Sequence, residues 1–77
     1  MTREAIEQLG DELADFFSNG EHADVCTDLN AMSTHDALPV ALHVVMRLIG
    51  FQHGTAKAMY DVLVRQSEAH DIVDEAA

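Results

Sequence analysis

Seventy-seven residues carrying fourteen acids against four bases, a formal net charge of −10, fit one small acidic domain spanning residues 1–77. A chain this short buries only roughly 60% of the surface its unfolded form exposes. Its one cysteine, Cys26, excludes an internal disulfide, so a second subunit or a metal is the remaining supplement. The lone thiol and the polar, acidic start from Thr2 to Glu12 point to a cytoplasmic protein without a secretory signal.

Charge is unevenly divided. From Glu4 to Asp36 there are nine acids and no Lys or Arg, which with Arg3 sets the first half near −8. From Ala37 onward five acids face Arg47, Lys57 and Arg65, near −2. A first helix is predicted from about Arg3 to Phe17, with Thr2 as its N-cap and Glu4 in the positive first turn. Ile6, Leu9, Leu13 and Phe16 recur at helical spacing, Ala5 and Phe17 widen that face, and Gly10 weakens the middle. Ser18-Asn19-Gly20 ends it, Gly20 being free to turn left-handed. A second helix follows from about Glu21 to Met32, burying Val25, Leu29 and Met32 with Cys26 at the edge.

Ser33 and Asp36 have capping-box spacing, and the third helix is predicted over Asp36 to His53 with Pro39 in its first turn. Between Ala37 and Phe51 the only non-apolar residues are Pro39, His43, Arg47 and Gly50. They form one narrow stripe on a helix otherwise covered nearly all round. The run is shorter than the ~20 residues a membrane-spanning helix needs, so no membrane association is expected. Gly54-Thr55 breaks the chain, and Thr55 caps a fourth helix to about Asp74. There Met59, Leu63, Gln66, His70 and Val73 repeat in heptad steps, widened by Val62, Ala69 and Ile72. Lys57–Asp61 and Asp61–Arg65 are opposite charges four apart. The fold class is therefore all-α: a bundle of three or four short helices.

Three short helices cannot easily surround the third helix, so an intertwined or side-by-side homodimer through helices three and four is expected, with Leu38, Leu42, Val45, Ile49, Met59 and Leu63 at the interface. The alternative is a monomer in which the other helices cover it.

The acids are patterned as well. Glu4, Glu7, Asp11 and Asp15 lie on one line at steps of three, four and four, and Glu21, Asp24 and Asp28 at three and four. Carboxylates so spaced stand about 6 Å apart and repel. The row fits a face that docks on a basic, even nucleic-acid-binding, site of a larger protein; the plain alternative is a solvated face that keeps the chain soluble. Direct nucleic-acid binding is excluded, because such a surface repels phosphate.

Five histidines raise the question of metal. His22 and Cys26, four apart, make a two-ligand pair to which His35 or a partner chain would have to add. No Cys-x-x-Cys, His-x-x-x-His or His-Glu-x-x-His spacing occurs, and an amphipathic or capping role is the competing reading. His43 is read as an exposed or interface residue and His70 as an interface or buried hydrogen-bonding one. Asp24 and Asp28 beside Cys26 disfavour a thiolate nucleophile, and no phosphate loop or nucleophile elbow is present. Neither enzymatic activity nor a cofactor is expected. A third reading has the apolar face of helix three grip the partner. In size, charge and helicity the chain is similar to small acidic accessory proteins of phages and mobile elements. That resemblance implies a regulator or inhibitor of a larger host protein.

Overall fold

The computed structural model describes residues 1–50 and 54–76, with side chains through His70. Four helices follow one another: α1 (Arg3–Ser18), α2 (His22–Asn30), α3 (Thr34–Ile49) and α4 (Gly54–Ala76). Each boundary has a local cause. Thr2 Oγ1 accepts from the Ala5 N–H at 3.2 Å to open α1. Gly20 takes φ +89° behind its end. Ser33 Oγ accepts from the Asp36 N–H at 3.4 Å to open α3. Gly50, left-handed at φ +62°, closes α3 at Ile49, four residues before the glycine expected to break the chain. Residues 51–53, the expected end of the third helix, lie outside the described residues. Two expectations are corrected with these boundaries. Thr55 lies inside α4 rather than capping it, and Pro39 is an interior residue of α3, past the first turn.

The helices form an all-α bundle in which α1 against α3 is the most extensive interface, α4 packs on α3, and α2 lies against both α1 and α3. The core is Ile6, Leu13, Ala14, Val25, Val40, Val44, Met46, Tyr60 and Val64. Phe16, expected on the buried face of α1, is 46% exposed instead. Cα extents of 39 × 29 × 16 Å leave the thin direction only about two helix layers deep. No helix can be surrounded in so thin a body.

Helix α3 shows the consequence. Its polar stripe turns inward: Pro39 is buried, and His43 and Arg47 both reach Asp11 of α1. The stripe Leu38, Val45 and Ile49 faces outward, Ile49 at 65% exposure, with Leu42 half-buried beside it. The all-round cover predicted for this helix is therefore absent from the single chain. The inversion is possible because Gly10 is buried beneath the His43 ring. A Cβ at residue 10 would lie 2.9 Å from His43 Cγ and overlap the ring edge. Helix α4 departs similarly from its heptad reading. The buried stripe is Tyr60, Val64 and Ser67, while Met59 and Val62 are exposed and Leu63 and His70 half-buried. The side chains of Ile72 and Val73 lie outside the described residues.

A polar knot joins the start of the chain to α3 and to the middle of α4. Asp36 Oδ1 accepts from Ser67 Oγ at 2.6 Å and stands 3.4 Å from the N-terminal ammonium of Met1. The Arg3 N–H, an orphan donor of the first turn, is satisfied by Glu68 Oε1 at 3.2 Å. Burial pushes the Asp36 carboxyl upward, but the hydrogen bonds from Ser67 and Ser33 and the ammonium charge outweigh it and hold the group below its ordinary value.

Two outcomes follow from this packing. Gly10→Ala lowers stability by about 1–3 kcal/mol through overpacking against His43, although the same exchange in an open helix gains about 1 kcal/mol; a urea titration followed by circular dichroism checks it. The Asp36 contribution, coming from a depressed folded pKa, is complete at neutral pH and is lost as pH falls through that folded value. Wild type is thus more stable than Asp36→Asn at neutral pH, and the gap closes on strong acidification. A gap independent of pH contradicts the assignment.

Candidate functional site: an acidic groove beside a paired seam

The seven acids of α1 and α2 do not share one environment. Asp11 Oδ1 accepts from His43 Nε2–H at 2.8 Å and is ion-paired with Arg47, whose Nε lies 3.2 Å away. Glu7 lies 4.0 Å from Arg3 Nη1. The repulsion along the row is therefore relieved at two positions by partners from α3 and from the start of α1. Sequence spacing does not reveal the α3 partners, since His43 is thirty-two residues from Asp11. Glu4, Asp15, Glu21, Asp24 and Asp28 are exposed and pair with no Lys, Arg or His among the described residues.

Three of these frame a groove. Glu21, Asp24 and Asp28 of α2 and its N-terminal flank, with Phe16 of α1, line a hollow of about 280 Å³. Glu21 occupies the N-cap position of α2 without a side-chain capping bond, so its carboxylate is not spent on the helix. The arrangement places an exposed ring among three carboxylates. A cationic side chain can there lay its stem or guanidinium on Phe16 while its charge meets the acids.

The remaining expected residues fall as follows. His22 is exposed and stacks on Phe17, ring centroids 4.1 Å apart, and Cys26 is an exposed free thiol. Among the described residues no group of three His, Cys, Asp or Glu could hold a metal ion. His35 stacks on His70 at 4.4 Å. His43 is half-buried in the seam, 5.8 Å from the Tyr60 ring, rather than on an open surface. Asp61, read as a partner of Lys57 and Arg65, instead accepts from Arg3 Nη2 at 2.9 Å across the helices, and this bond raises the arginine pKa further. Tyr60, which periodicity passed over, is buried under Arg3, whose guanidinium carbon lies 5.6 Å from the ring centroid. Burial, with Glu7 adding to it, pushes the Tyr60 hydroxyl up to about 12. Its only sequence signal is that it is the sole tyrosine.

The apolar set expected at a dimer interface is divided: Leu38, Val45, Ile49 and Met59 are exposed, Leu42 and Leu63 half-buried. Val62 joins the exposed group, and the hollow between Thr55, Ala58, Met59, Val62 and Leu63 is almost purely apolar. No described helix is long and apolar enough to cross a membrane. Comparison with protein-family models, curated proteins and solved structures gives no match to this chain.

The split environment predicts a split response. Asp11→Ala leaves the half-buried His43 ring without its acceptor and lowers stability by about 0.5–1.5 kcal/mol, the net worth of one hydrogen bond, the exposed Arg47 pair adding little. Asp24→Ala and Asp28→Ala leave the melting temperature unchanged or slightly raised. Thermal melts of the three variants check this.

Proposed function

We propose that this protein is a small acidic regulator that binds a larger protein through a basic surface of that partner, in the manner of the accessory proteins it resembles in size, charge and helicity. The observation that carries the reading is the uncompensated groove of Glu21, Asp24, Asp28 and Phe16, flanked by exposed Glu4 and Asp15. With Glu7 and Asp11 paired to Arg3, His43 and Arg47, the contact surface is this groove and its flanks rather than the straight row. An Arg or Lys of the partner is the group it suits, and the long-range field of a −10 chain speeds the encounter. The role proposed is binding in the cytoplasm, inhibitory or redirecting, with no catalytic step and no direct contact with nucleic acid.

A homodimer through α3 and α4 belongs to the same reading. Among the described residues five of the six large exposed apolar side chains are on these helices, and the line Leu38, Leu42, Val45 and Ile49 contains no charge. Two copies of a chain at −10 repel wherever their acids meet. Contact along this uncharged line keeps the acidic helices of both copies apart, and it covers apolar surface that the thin bundle leaves open.

One set of samples tests both statements. Asp15→Lys combined with Glu21→Lys, Asp24→Lys and Asp28→Lys retains the helical spectrum and loses the salt-sensitive partner that wild type captures from a host lysate. Retention of that partner at moderate salt overturns the docking face. Light scattering gives a dimer mass for wild type and a monomer mass for Ile49→Glu; a wild-type monomer at high micromolar concentration overturns the self-association.

A further inference from the structure

Three of the four Lys and Arg residues of this acidic chain meet at one place. Arg3 of α1, Arg47 of α3 and Lys57 of α4 line a cavity of about 190 Å³, with His43 and Tyr60 in its wall. Two carboxylates, Glu7 and Asp61, line it too, and both are engaged by Arg3. The other two cations retain donors. Arg47 reaches Asp11 through Nε, and its terminal nitrogens make no hydrogen bond among the described residues. Lys57 has no ionic partner there either, because Asp61 is turned to Arg3.

Tyr60 closes the wall: it is 5% exposed, and its hydroxyl, shielded from solvent, has no hydrogen-bond partner among the described residues.

Donors in surplus on one wall define what fits. A metal cation is repelled by Lys57 and Arg47, and an apolar ligand leaves both cations unsatisfied. A group carrying several acceptor oxygens and a negative charge satisfies them together. The cavity has room for about six waters, the size of inorganic phosphate or a short dicarboxylate.

We propose that this cavity is a binding site for a small oxyanion, phosphate or carboxylate, held by Lys57 Nζ and the terminal nitrogens of Arg47 against the wall that Tyr60 closes. Arg3 is a positioning residue: fixed by Asp61 and lying over the Tyr60 ring, it holds the aromatic in place. The site is separate from the acidic groove, and its occupancy would tie α1, α3 and α4 together at their common junction.

The test is an amide-resolved NMR titration of the full chain with sodium phosphate and, separately, sodium malonate, against sodium chloride at equal ionic strength. Saturable shifts confined to the surroundings of residues 47, 57 and 60, absent with chloride, are expected with at least one of the two; whichever binds names the anion. Lys57→Gln weakens that binding about tenfold, the effect of one charge-assisted hydrogen bond. The proposal is overturned if neither anion shifts these amides saturably up to tens of millimolar, if chloride does the same, or if Lys57→Gln binds as wild type does.

Discussion

The close approach of α1 and α3 at Gly10 is the constraint on which the rest of the molecule depends. With no side chain at that position, the His43 ring lies against the α1 backbone and meets Asp11 one residue further along. Arg47, one turn on, reaches the same carboxylate. The polar edge of the most apolar helix is thereby used as packing surface, and the ring continues the contact to Tyr60 of α4. Because the polar edge is turned in, the apolar line Leu38, Val45 and Ile49 is turned out. One missing Cβ thus decides which face of α3 is covered.

Much of the local structure is legible in the residues themselves. Thr2, Ser33 and Gly20 act as their types suggest; of the positions that spacing predicts, Ile6, Leu13 and Val25 are buried and Leu9, Leu29 and Met32 partly so. Such signals are short-range and self-contained. The errors fall where the decisive partner is distant in the chain. Asp61 has plausible partners four residues to either side, yet it takes Arg3, fifty-eight residues away. The heptad reading of α4 favours Met59 over Tyr60, because hydrophobicity ranks a thioether above a phenol and cannot register a tyrosine ring roofed by Arg3. For the candidate site, composition reveals that acids are concentrated in the first half. Which of them are spent inside the bundle depends on His43 and Arg47, and their orientation is set by Gly10.

The bundle therefore sorts its charges as well as its apolar groups. Three of its four cations are gathered on the α1–α3–α4 side, where Arg3 pairs with Glu7 and Asp61, Arg47 pairs with Asp11, and Lys57 is left over. The α2 side is left with none within reach. A chain with the same composition but evenly spread lysines would have the same net charge and no polarity. Here one end carries a field that nothing nearby screens, which is a physical basis for orientation as well as attraction when a basic surface approaches.

Tyr60 has a practical consequence of a different kind. The chain has one tyrosine and no tryptophan, so all of its tyrosine emission comes from a single ring. That ring touches the junction of three helices and lies under a guanidinium, a spot that loosens if any of the three moves. The protein thus carries its own optical probe, placed at the point where its helices are held together, and its unfolding can be followed there without a label.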